Sequence, residues 1–468
     1  MTSTSANPAG AEPATPSPSL LRRATAAAAM GNATEWFDYG VYSYLATQIG
    51  RNFFPGPHAT LGSLLVFAVS FVLRPLGGIV WGPLGDRVGR QSVLVATILL
   101  MSLSTVLIGV IPTYGSVGVW APVLLILLRV VQGFSTGGEY GGAATFLAEY
   151  APDRRRGFWG SFLEFGTLTG FTGALALTAL INLVFGSAAL DHWAWRIPFL
   201  AAGPLGAIGL YLRMRLEDTP CFRDLKSRGE RETEATGALR TLLRDYRRPM
   251  LQLFGLVVVL NVADYTLLTY LPTYLQDTIG LSTGDSNLVL ASGQLGMMAV
   301  IPFAGMLSDR VGRKPCWWFS IGALFVLSVP MFWLMSQGLA LAIVGFVVLG
   351  MVFVLQLGTI SATFPAMFPA HVRYAGMAIS YNIATAAFGG TAPAINNALV
   401  GATHDKLMPG YYLMAACVIG ACGLWGVVET RGCSLRGRRL PRAESQSTGV
   451  TRPPAPPVAA RRPAVRSR

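Results

Sequence analysis

The chain has 468 residues, 52% of them hydrophobic and 13% charged, with a formal net charge of +13 and a mean hydropathy of +0.49. That balance is too apolar for a surface facing water, so it excludes a soluble globular protein, and it makes lipid the main solvent of the chain. A basic excess of this size in a soluble protein would point to nucleic acid, but its placement along this chain has a simpler explanation, given below.

Residues 1–21 form a Ser/Pro/Ala-rich polar stretch, without the charged start and apolar core of a cleavable signal, and read as a disordered N-terminal tail. Twelve apolar blocks follow, at 24–50, 60–84, 91–112, 117–150, 157–185, 194–215, 249–279, 286–307, 315–335, 338–367, 374–402 and 408–429. Crossing a hydrocarbon core takes about 20 residues of helix, and each block is of that order. The runs are continuously apolar, whereas barrel strands alternate polarity over about ten residues, so the expectation is an all-α polytopic membrane protein. The organisation read from the sequence is a six-helix half at 22–215, a basic central loop at 216–248, a second six-helix half at 249–430 and an Arg/Pro-rich tail at 431–468. Prolines at the density found in that tail exclude a helix, so it too is expected to be disordered.

On this map 31 of the 36 Lys and Arg fall in the two tails and the even-to-odd loops, and the opposite loops hold only Arg51 and Lys406. Positive loops stay on the cytoplasmic side, which predicts a multi-pass protein of the cell membrane with both termini cytoplasmic and anionic lipid headgroups in reach of the loops. The remaining three, Arg74, Arg129 and Arg196, lie inside or at the edge of apolar blocks. Five cysteines and four scattered histidines show no metal-ligand spacing, and no phosphate-binding GxxxxGK[ST] loop occurs. Neither a metal nor a cofactor is expected, and no nucleophile–base pair suggests an enzyme.

The chain repeats itself at about half its length. GPLGDRVGRQ (82–91) after block two matches GMLSDRVGRK (305–314) after block eight, and PDRRR (152–156) matches PAHVR (369–373). Two matches at nearly one offset put six helices of each half in register.

Those motifs resemble the major facilitator superfamily: G-x-L-x-D-R-x-G-R from Gly82 to Arg90 and R-x-x-Q-G at Arg129, Gln132 and Gly133 are both superfamily patterns. GNATEWFDYG (31–40), RPLGG (74–78), QGFSTGGEYGGA (132–143), AEYAPDRRRG (148–157), WRIPF (195–199) and LLTYLPTYL (267–275) resemble, more narrowly, its metabolite:proton symporter family. The likeness spans roughly residues 22–430 and stands nearest the branch that carries proline and glycine betaine. It implies two parallel six-helix repeats with the solute site at midplane between them. It further implies a monomeric secondary transporter that takes up a small zwitterionic osmolyte with a proton by alternating access; relatives carrying citrate, 2-oxoglutarate or shikimate supply the alternative. The tail departs from relatives that end in a heptad-bearing coiled coil, so activation through such a coil is not expected.

Charges in hydrocarbon are costly unless paired or hydrated, which makes each one a candidate for function. In block one Glu35, Asp38, Tyr39 and Tyr42 fall at i, i+3, i+4 and i+7 on one helical stripe, with Asn32 nearby. Glu35 and Asp38 are the natural proton carriers, or they hold Arg74 or Arg129 in structural pairs. Arg129 can take a solute carboxylate, and Glu139, Glu164 and Asp264 are further acids within blocks. A quaternary ammonium donates no N–H bond and is best held over aromatic faces, for which Trp36, Phe37, Tyr39, Tyr42, Tyr265 and Tyr270 are available. For the loops the superfamily pattern implies a conformational latch: Gly82, Gly85, Asp86, Arg87, Gly89 and Arg90 in the first half, Asp309, Arg310 and Arg313 in the second, joined by Arg156 and Arg373.

Overall fold

A computed structural model describes residues 18–88, 90–137, 139–214, 244–369, 372–433 and 435. Most of the N-terminal tail, of the central loop and of the C-terminal tail therefore lies outside the described residues. The labelled helices are α1 (Pro18–Tyr44), α2 (Ala46–Phe53), α3 (Ala59–Val72), α4 (Arg74–Val88), α5 (Arg90–Val110), α6 (Trp120–Thr136), α7 (Glu139–Tyr150), α8 (Arg156–Ala189) and α9 (Arg196–Met214), then α10 (Arg247–Asp264), α11 (Thr283–Val311), α12 (Arg313–Met335), α13 (Leu339–Leu357), α14 (Arg373–Ala384), α15 (Ala392–Thr403) and α16 (Met408–Leu424). No strand occurs among the described residues.

All twelve apolar blocks carry helix. Among the described residues seven helical stretches are long and apolar enough to cross a bilayer: Ala59–Trp81, Trp120–Tyr150, Asp153–Ala194, Arg247–Ile279, Thr283–Val311, Arg313–Met335 and Leu339–Thr363. Blocks three and twelve hold shorter apolar helices, Val95–Val110 and Met408–Leu424. The first helix starts earlier than expected. It begins at Pro18, inside the stretch read as disordered, because Leu21 and Ala24 bury themselves against Tyr150 and Trp159. Similarly, residues just past 430 are tethered by side chains described below.

The packing repeats the sequence repeat. Helix α1 packs on α8 and α9, α3 on α6, α5 on α6 and α9; in the same relations α10 packs on α14 and α16, α11 on α13, α12 on α13 and α16. The two sets meet along α8 with α11, and along α3 and α4 with α14 and α15. Large apolar side chains such as Leu183, Trp425 and Ile79 point outward, while Arg74, Arg129, Arg156 and Arg313 are among the most buried side chains. Apolar side chains facing outward and arginines held inside a largely apolar interior depart from the usual rule for water-soluble proteins and fit a lipid solvent.

Block seven departs from a regular helix. After Asp264 the backbone widens into π-helical turns at Tyr265–Tyr270 and Tyr274–Ile279, on either side of Pro272. Proline has no amide hydrogen to donate to the ladder, and π turns of this kind concentrate at functional sites.

Candidate functional site

Helix α1 presents its acidic stripe to α4 and α6. Arg74 Nη2 donates to Glu35 Oε1 at 3.0 Å and to the Tyr39 hydroxyl at 2.8 Å. Its guanidinium lies 4.5 Å from the Phe71 ring centroid and 5.1 Å from that of Tyr39. One turn along, Gln132 Nε2 donates to Asp38 Oδ2 and, at 2.7 Å, to Thr105 Oγ1. The Gln132 carbonyl oxygen accepts from Arg129 Nη1, and Arg129 lies 3.9 Å from the Tyr42 ring centroid. Both arginines and both acids are almost wholly buried. Buried charge persists only when paired or bonded, and here one ion pair, one bridging amide and three aromatic faces share that task. The predicted stripe of Glu35, Asp38, Tyr39 and Tyr42 is thus drawn together. Asn32 looks the other way and donates to the Leu163 carbonyl at 2.8 Å and to Thr167 Oγ1 at 2.6 Å.

A small cavity of about 10 Å³ lies where the two sets of helices meet. Trp36, Tyr140, Glu164 and Thr167 line it from the first set, and Leu260, Asn261, Asp264, Leu357, Ile360 and Tyr381 from the second. The space holds roughly one water, so in this conformation it is collapsed. Tyr140 and Tyr381 stack across the junction with centroids 4.7 Å apart and planes 15° off parallel. Glu164 accepts from Tyr140 at 2.5 Å and from Thr167 at 2.9 Å. Of the candidate residues, Trp36 and Asp264 border the cavity. Tyr265 packs behind it on Trp36 and Phe71, Tyr270 packs on Tyr274, and Tyr42 lies under Arg129. The Glu139 side chain lies outside the described residues.

Sequence reasoning left several of these groups out of the candidate site. Arg74 appeared as a possible structural partner of the α1 acids and Gln132 only as part of a motif, although R-x-x-Q places it one turn beyond Arg129. Glu164 was visible as the lone acid of block five. Tyr140, Asn261 and Tyr381 carried no sequence signal, because their contact depends on how the two sets pack.

Contacts bridge the two sets of helices toward both ends. At the end bearing the basic loops, Asp309 accepts from the Gly157 and Phe158 amides, each at 2.9 Å, and from Arg313 Nη2 at 2.5 Å. A carboxylate from α11 therefore occupies the positive N-terminus of α8, across the junction. The backbones touch there: a Cβ at Gly157 would come 2.3 Å from the Gly305 carbonyl oxygen. Glu429 likewise accepts from the Arg313 and Lys314 amides at 3.0 and 2.9 Å, and the intervening turn uses Gly312 at φ +114°, open to glycine at little cost. Arg373 donates to Glu149 at 2.9 Å and to the Leu435 carbonyl at 2.7 Å, while Arg156 donates to Asp153 and, at 3.0 Å, to the Cys433 carbonyl. Burial pushes the Cys433 thiol up, and the neighbouring Arg156 guanidinium opposes that shift. Arg310 is exposed. In the first-half loop, Gly82 and Gly85 fall within α4, and Gly89 and the side chains of Asp86, Arg87 and Arg90 lie outside the described residues. At the opposite end Thr47 and Thr60 donate to Asp277 Oδ2 at 3.3 Å each, and Gln294 donates to the Tyr44 hydroxyl at 2.6 Å.

A repeat visible in both sequence and packing, with buried charge beside a cavity at the junction of the two sets, defines a class. The Major Facilitator Superfamily profile matches residues 28–393, and the chain belongs to that superfamily. The proline/betaine transporter of Escherichia coli strain K12 is 43% identical over 427 residues, covering 89% of this chain and 85% of that protein. The ectoine/proline transporter ProP of Corynebacterium glutamicum is 41% identical over 450 residues, covering 92% of this chain and 89% of its own. A solved structure of the proton:xylose symporter XylE bound to 6-bromo-6-deoxy-D-glucose superposes with a TM-score of 0.71 at 21% identity, covering 89% of this chain and 98% of that one. The fold is the major facilitator fold, and the protein is a multi-pass membrane protein.

Proposed function

We propose that this protein is a secondary active transporter of the cell membrane that brings a small zwitterionic osmolyte, such as proline or glycine betaine, inward with a proton by alternating access. The observation that carries the reading is the cavity at the junction of the two sets of helices: it is bordered by carboxyls from both sets and walled by aromatic rings. Its likeness to transporters named for proline, betaine and ectoine points the same way. The unit is a monomer in the bilayer, with halves at 22–215 and 249–430 joined by the loop 216–248, and both termini cytoplasmic.

Glu35 and Asp38 carry the proton role. Each is paired when ionised, Glu35 with Arg74 and Asp38 with Gln132, so protonation would loosen a contact between α1 and its neighbours. One proton moving with a neutral zwitterion carries one charge, and the membrane potential contributes about 2.3 kcal/mol per charge per 100 mV. The alternative, a carrier of citrate, 2-oxoglutarate or shikimate, needs a cation facing the solute. No basic residue borders the cavity, and Arg74 is engaged by Glu35.

Charge movement across a solid-supported membrane tests this. Adding proline or glycine betaine to adsorbed proteoliposomes is expected to give an inward positive current that citrate does not elicit. Current from citrate alone would overturn the zwitterion reading.

A further inference from the structure

We propose that Asp264 is the subsite for the cationic pole of the solute, acting with Glu164 from the opposite set of helices. The inference rests on the zwitterion reading above and deepens it. The two acids differ in what they have left to offer. Both Glu164 oxygens already accept bonds, from Tyr140 and Thr167, and Thr167 is itself held by Asn32. Asp264 is 5% exposed and its Oδ1 is buried without a hydrogen-bond donor among the described residues. A buried carboxylate oxygen without a donor is costly, so the site favours whatever brings one.

The described residues do not supply that donor. None of the ten residues around the cavity is basic. Arg74 donates to Glu35 and Tyr39 and Arg129 donates to Gln132, and neither borders the cavity. The missing partner is therefore the solute's cationic pole: an ammonium whose N–H donates to Asp264, as in proline, or a quaternary ammonium, which has no N–H and meets the carboxylate by charge alone with its alkyl groups against the Trp36, Tyr140 and Tyr381 rings. The indole nitrogen of Trp36, another residue bordering the cavity, is buried with no acceptor among the described residues and can donate to the other pole. Because Glu164 lies on α8 and Asp264 ends α10, one cation attracted by both draws the two sets together, which links occupancy to closure. The backbone widens into a π turn directly after Asp264, and π turns of this kind concentrate at functional sites.

The test is uptake by proteoliposomes under an imposed inward proton gradient, with wild type, Asp264→Asn and Asp264→Glu compared at equal reconstituted amounts. Half-saturation for proline and glycine betaine is expected to rise at least about tenfold in Asp264→Asn, the equivalent of about 1.4 kcal/mol, and to be largely restored by Asp264→Glu. On wild type, pyrrolidine, which keeps the ammonium and lacks the carboxylate, is expected to compete with proline better than tetrahydrofuran-2-carboxylate, which keeps the carboxylate and lacks the ammonium. Unchanged half-saturation in Asp264→Asn, or the reverse order of the two competitors, overturns the subsite while leaving zwitterion transport standing. The competitor arm decides even if the variants do not fold. A wild type that moves neither zwitterion removes the functional reading and this inference with it.

Discussion

The Glu35–Arg74 pair offers the sharpest energetic prediction. The charged atoms are 3.0 Å apart and both side chains are at most 5% exposed. At an effective dielectric of about 20, Coulomb attraction at that separation is ~5.5 kcal/mol before desolvation is subtracted. Removing one partner strands the other charge and costs about 3–5 kcal/mol, whereas replacing both with neutral groups is far less harmful. Glu35→Gln and Arg74→Gln should therefore each lower the thermal midpoint in detergent clearly, and the double variant should recover most of the loss. Arg74 also loses its stacking on Phe71 and Tyr39, so Arg74→Gln should be the worse single variant by ~1 kcal/mol. The double variant, although stable, should exchange solute across the membrane without accumulating it, because the titratable partner is gone. If the two losses simply add, the pair is not coupled in the folded protein. If the double variant still concentrates solute in a protonophore-sensitive way, Glu35 is not in the coupling path.

Other consequences follow from the same geometry. Gly157→Val puts a side chain against the Gly305 carbonyl and should hold the basic end open, raising thiol-reagent labelling of a Ser308→Cys reporter in an otherwise cysteine-free background; unchanged labelling would deny the close approach its role. Asp309→Asn removes the charge at the α8 N-terminus and the Arg313 pair, and should weaken closure at that end by about 1–2 kcal/mol, seen as a several-fold gain in the same labelling. Gln132→Leu separates Asp38 from Arg129 and leaves both without their shared amide, so a midpoint drop comparable to that of Glu35→Gln is expected; a neutral outcome would show that the amide bridge is incidental. Arg373→Gln frees Leu435 and Glu149 and should make the chain near residue 435 more sensitive to limited proteolysis, with no change if that tether is unimportant.

The helices were legible because lipid imposes a simple rule: every crossing segment must be long, apolar and internally hydrogen-bonded. The stripe on α1 was legible because helical spacing alone puts Glu35, Asp38, Tyr39 and Tyr42 on one face. Their partners were only half visible. Arg74 and Arg129 stood out as charges in hydrocarbon, but nothing local says that one meets an acid directly and the other through Gln132. The latch motif was readable as a motif, yet the partner of Asp309 is a helix terminus in the opposite set, which only packing supplies. The cavity itself was hardest, since Tyr140, Asn261 and Tyr381 look like ordinary residues until the two sets of helices are brought together. The early start at Pro18 was hidden by composition: a Ser/Pro/Ala-rich stretch reads as tail unless Tyr150 and Trp159 are known to be there for Leu21 and Ala24.

The most direct test of the account is the uptake of radiolabelled glycine betaine and proline by proteoliposomes holding only this protein, with and without an inward proton gradient. The account predicts accumulation above equilibrium that requires the gradient and collapses on addition of a protonophore. Uptake that merely equilibrates regardless of the gradient, or accumulation of citrate or 2-oxoglutarate with neither zwitterion moving, would contradict it.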